Sequence, residues 1–90
     1  MKNYYSTIDK VVLTFSDVKK DSDGFEYLET YFEKPCDGGF HYSKWMLPDF
    51  KCTNSFGFSE DDIMNQENYL RNNLLLLWEI AKENGEKQSA

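Results

Sequence analysis

The chain is 90 residues long, which gives room for one domain, expected over 1–90, and limits the buried share to somewhat more than about 60% of the unfolded surface. Its formal net charge of −6 argues against non-specific binding to nucleic acid or anionic membranes, and suits solubility or a basic partner. Seven Phe, six Tyr and two Trp supply large side chains from which so small a core can still be built.

Met1-Lys2-Asn3-Tyr4-Tyr5 leads into polar residues, so no secretory signal is expected. The longest apolar run, Leu74 to Trp78, falls far short of the roughly 20 residues of a membrane span. Two cysteines, Cys36 and Cys52, are too few for a disulfide framework and fit a reducing compartment. The expected setting is the cytoplasm, with no membrane and no nucleic acid as partner.

Residues 1–9 carry no clear period and read as a frayed start or a short edge strand. From there Val11, Leu13 and Phe15 alternate with Val12, Thr14 and Ser16, which predicts a strand over 10–19. Lys19 to Gly24 is a turn cluster. Phe25 to Glu33 alternates again, so the two runs form an antiparallel hairpin. Pro35 is expected to end this second strand, followed by a turn at Cys36-Asp37-Gly38-Gly39. A third strand, 40–47, is apolar on both faces, which suits a central strand or one whose second face meets something, and 50–53, after the break at Pro48-Asp49, is a candidate short fourth.

The remainder is one long helix, expected over 59–84. Ser59 as N-cap and Asp62 three residues on make an S-x-x-D variant of the capping box, with Phe58 and Ile63 at the spacing of a hydrophobic staple. Glu60, Asp61 and Asp62 complement the positive end of the helix dipole. Gly85 is a natural left-handed residue to close the helix, leaving 85–90 as a polar tail. Ile63, Leu70, Leu74, Leu77 and Ala81 fall on one stripe, flanked by Trp78 on one side and by Tyr69, Leu76 and Ile80 on the other. The fold class is thus α+β: a three- or four-stranded antiparallel meander packed against one long C-terminal helix.

The apolar arc of that helix is wider than one sheet needs. Leu75 projects into the polar side and Met64 sits at its edge. Leu75, Leu76, Trp78 and Met64 are accordingly the candidate residues for a partner or for self-association.

Catalytic constellations are weak by comparison. His41 with Cys36 or Cys52 lacks the flanking pattern of a Cys–His nucleophile pair, and three candidate ligands at irregular spacing do not make a structural zinc site. Asp21-Ser22-Asp23-Gly24 resembles part of a calcium loop, but Lys19 and Thr30 stand where its outer acidic ligands belong. The acidic helix start would repel phosphate, and Tyr42, Lys44, Trp45 and Lys51 form only a small basic-aromatic patch. No catalytic residue, metal or cofactor is expected.

The segments Asp37-Gly38-Gly39-Phe40, Pro48-Asp49-Phe50 with Cys52, and Ser59-Glu60-Asp61-Asp62 are loosely similar to the strand–turn–helix passage of HicB-type antitoxins. The likeness covers under a third of the chain at spacings that require insertions, and the DNA-binding segment usual there has no counterpart; the chain is not assigned to that family. What it implies is toxin neutralisation. The expected function is a small, acidic, non-enzymatic protein-binding module, such as an inhibitor, immunity protein or antitoxin, acting by occlusion. The alternatives are a homodimeric structural domain, or a small ligand-binding protein or enzyme with a pocket near His41, Cys52 and Tyr42.

Overall fold

A computed structural model describes residues 2–89, with side chains as far as Gly85; Met1 and Ala90, the ends of the expected N-terminal segment and polar tail, lie outside the described residues. The elements are β1 (Lys2–Ile8), β2 (Val11–Ser16), β3 (Lys19–Lys20), β4 (Glu26–Cys36), β5 (Gly39–Leu47), β6 (Lys51–Phe56) and α1 (Glu60–Ser89). The sheet is an antiparallel meander in the order β1-β2-β4-β5-β6, with short β3 pairing to β4. The fold is α+β, one sheet packed on one C-terminal helix.

Strand alternation assigns the two faces. Leu13 and Phe15 of β2, Leu28, Thr30 and Phe32 of β4, and Ser43, Trp45 and Leu47 of β5 point toward α1, where Leu70, Leu77 and Ala81 close over them. Partner registers hold the layers together: Leu13 stands opposite Phe32, Thr30 opposite Trp45, and Leu28 opposite Leu47. Ile63, Leu74, Trp78 and Ile80 pack around this cluster as half-buried side chains. Each fully buried Leu contributes about 1.5–3 kcal/mol before chain entropy is subtracted.

The helix start forms as its sequence dictates. The Ser59 amide donates to Asp62 Oδ2 at 3.0 Å, and the Asp62 amide donates to Ser59 Oγ at 3.1 Å, which closes the capping box. Phe58 and Ile63 both pack on the core from either side of this cap. The other end differs from expectation. Gly85 is helical, not a left-handed terminator, and α1 runs on to Ser89 in place of a polar tail. A lone glycine costs a helix only about 1 kcal/mol relative to Ala, too little to stop it among Glu83, Asn84, Glu86 and Lys87.

Three further departures have local causes. β1 is a full edge strand whose period is hidden by a bulge at Tyr5: Tyr4 pairs with Thr14 but Ser6 with Leu13, so Tyr5 and Ser6 both turn toward α1. Pro35 does not end β4. It stands opposite Phe40, two residues beyond the last β2 partner at Glu33, so its missing N–H faces a side where no strand remains to accept it. Lys19 and Lys20 are drawn out of the turn cluster into β3, and the turn itself is held by Asp21, whose carboxylate accepts the amides of Asp23 and Phe25.

Candidate functional site

The outer side of α1 carries the four candidate residues unequally. Leu75 is 80% exposed, Met64 64% and Leu76 51%. Trp78 is half-buried and packs on the core, so it supports this surface from beneath. Around them Arg71 and Lys82 are engaged: Arg71 donates to Glu67 at 3.0 Å and lies over the Phe50 ring, and Lys82 reaches Glu26 at 3.6 Å. Asp61 and Glu79 have no ion pair among the described residues, which leaves the apolar strip in an acidic setting.

The sheet face away from α1 is uncovered among the described residues. Tyr4, Thr14, Tyr31, Lys44 and Asn54 form one cross-strand row, and Thr7, Val12, Glu33, Tyr42 and Phe56 the next. Tyr42 stacks on Phe56 with ring centroids 6.1 Å apart, and both are exposed. Tyr31 lies under the ammonium of Lys2 at 4.1 Å. Glu29 anchors this face, taking hydrogen bonds from Lys19 at 2.8 Å, from Lys44 and from the Tyr31 hydroxyl at 3.0 Å. Those bonds, Lys19 first and Lys44 next, hold its carboxyl down to about 2 against the opposing effect of burial. The Tyr31 phenol is pushed up, first by burial and then by the bond it donates to Glu29. Trp45 belongs to the opposite face, fully buried, so the sequence-level basic-aromatic patch splits.

A cleft of about 440 Å³ opens between the β1–β2 hairpin, the end of the sheet and the first turns of α1. Val11, Leu13, Phe32 and Phe58 form its apolar floor. Gln66 enters it from α1 while only 7% exposed; its carbonyl oxygen accepts from Ser43 Oγ and, at 3.4 Å, from Trp45 Nε1. Tyr69 and Ser6 close the back with a hydroxyl pair at 3.0 Å. Lys34 and His41, opposite each other on β4 and β5, stand at the mouth with Asp9 and Asp62. His41 is held edge-on to Phe58, with ring centroids 5.9 Å apart, and over Gly57. Gly57 has φ +89, and a Cβ there would overlap the imidazole.

The cleft corrects the pocket expected near His41, Cys52 and Tyr42. His41 lines it, but Tyr42 alternates to the open face and Cys52 lies opposite Trp45, well along β5. Cys36 sits at the exposed end of the β4–β5 hairpin. No group of three or more His, Cys, Asp or Glu converges on a metal position among the described residues. Reasoning from sequence also missed Gln66, although it precedes Leu70 by one helical turn and is therefore a polar residue inside the buried stripe. No described helix is long and apolar enough to cross a membrane. Comparison with family models, with curated proteins and with solved structures finds no match to this chain, so the likeness to HicB-type antitoxins gains no support.

Proposed function

We propose that this protein is a small, non-enzymatic binding module of the cytoplasm that occludes a basic protein partner, in the manner of an inhibitor, immunity protein or antitoxin. The observation that carries this reading is Leu75, 80% exposed on the side of α1 turned away from the sheet, with Leu76 and Met64 also bare. A helix that has already supplied Leu70, Leu77 and Ala81 to the core leaves half or more of each of these side chains outside it. Apolar side chains supply contact area at the centre of an interface, and the surrounding carboxylates steer a cationic partner toward it.

The test begins with light scattering behind size exclusion at two protein concentrations, followed by use of the protein as bait in an extract of its native host. A monomer that captures a basic protein, and loses it on Leu75→Asp, is the expected result. If Leu75→Asp and Trp78→Ala, both shown folded by circular dichroism, leave the oligomeric state and every captured partner intact, this surface is wrong. A dimer at both concentrations that Leu75→Asp dissociates assigns the strip to self-association instead. A second reading moves the contact to the open sheet face, favoured by the exposed Tyr42–Phe56 stack. In that case Tyr42→Ser with Phe56→Ser abolishes capture while Leu75→Asp does not.

A further inference from the structure

We infer that the cleft beside His41 is a binding site for a small organic acid, an apolar carboxylate whose body lies on Leu13, Phe32 and Phe58 and whose head meets Lys34 and His41. The volume of about 440 Å³ falls in the range of small-molecule sites, and the wall has their usual make-up, an apolar floor with a few convergent polar groups. Two observations select the chemistry.

The first is Gln66. Its carbonyl oxygen is committed to Ser43 and Trp45, so the side chain cannot turn freely, and its amide nitrogen donates to no group among the described residues. The side chain is only 7% exposed, yet its amide nitrogen is not among the fully buried unpaired atoms, so it opens to the solvent of the cleft, where a ligand acceptor can replace water. The second is Lys34, which has no ion pair among the described residues although it lines the same space, across the β4–β5 pair from His41. The lining also holds two carboxylates, Asp9 and Asp62, and the charges of Lys34 and His41 help to hold the Asp62 carboxyl low, so an anionic ligand must displace that attraction. Asp62 is bound up in the capping box with Ser59, and Asp9 stands in the hairpin tip, with φ +50. An idle amide donor and a lysine without an ion pair among the described residues, over an apolar floor, match an anionic head on an apolar tail.

Titration of the ¹⁵N-labelled protein with octanoate, followed by amide chemical shifts, tests the site, with octylamine and octanamide as probes of equal length and different charge. Octanoate is expected to shift residues of 6–13, 32–34, 41 and 57–69, and to bind about tenfold more tightly than octylamine. Lys34→Met removes that preference, and Gln66→Leu weakens octanoate by a further several-fold. Equal affinity for octanoate and octylamine, shifts centred on Leu75 and Leu76 in place of the cleft, or an unchanged preference in Lys34→Met would each overturn the assignment. Because the cleft and the Leu75 strip share no residue, failure here leaves the protein-binding reading as it stood.

Discussion

Thr30 is the residue whose chemistry fits its place least. It lies in the middle of the core between Leu28 and Phe32, fully buried, and its hydroxyl has no hydrogen-bond partner among the described residues. A buried hydroxyl without a partner costs roughly 1–3 kcal/mol, and valine has the same shape without the polar atom. Thr30→Val is therefore expected to stabilise the fold by about 1–2 kcal/mol, read as a higher urea midpoint at an unchanged slope. A lower midpoint would mean that the hydroxyl has a partner after all. At this scale the sequence was only half legible. His41 stood out as the lone histidine, but its neighbours were read along the chain, and Tyr42, next in sequence, points to the other face of the sheet. The side chains that actually surround His41, Gln66 and Lys34 among them, come from other elements and meet it only once the strand register is set.

Among the elements, α1 was legible where a local rule decides and illegible where none does. Its start is fixed within four residues by Ser59 and Asp62, and the structure forms both bonds. Its end has no comparable device; a single glycine is a weak signal, and α1 passes through it. β1 was hidden for a different reason: the bulge at Tyr5 puts two consecutive side chains on one face, which erases the alternation a reader looks for. The cap makes a quantitative statement possible. Ser59→Ala is expected to cost about 1 kcal/mol in thermal or chemical unfolding. The same change lets the Asp62 carboxyl rise toward its ordinary range. The bond from the Ser59 amide, the largest of the effects holding it low, remains, as do the smaller ones of the Lys34 and His41 charges, and the one involving the hydroxyl is lost. A pH titration of the Asp62 side chain by NMR reads this, and an unmoved Asp62 would mean that Ser59 Oγ does not hold the cap in solution.

For the molecule as a whole, the charge is divided between two sides. Lys2, Lys19 and Lys44 gather on the open sheet face around Glu29 and Tyr31, whereas α1 carries Glu60, Asp61, Asp62, Glu67, Glu79 and Glu83. The Glu29 cluster ties β3, β4 and β5 together, and it makes global stability depend on pH. Its folded carboxyl lies at about 2 against an ordinary 4.5, so the native state favours the ionised form. The resulting stabilisation, on the order of 3 kcal/mol, is present above about pH 4.5 and is lost as pH falls through the folded value. Unfolding free energies of the wild type and Glu29→Gln, compared from pH 7 down to pH 2, are expected to differ most at neutrality and to converge in acid. A constant difference across that range would show that Glu29 titrates normally in the fold.

The meander pairs each strand with a near neighbour in sequence, but the layer that covers it comes last. In synthesis from the N-terminus, Leu13, Phe15, Leu28, Phe32, Trp45 and Leu47 are all made before the first core residue of α1. At about 5–20 residues per second, Leu77 and Ala81 follow Leu47 after a delay on the order of seconds. The nascent sheet therefore spends that interval with one largely apolar face and two unpaired edges, β1 and β6, open to whatever is nearby. The order of the elements makes the emerging chain a natural client for a holding chaperone until the helix arrives.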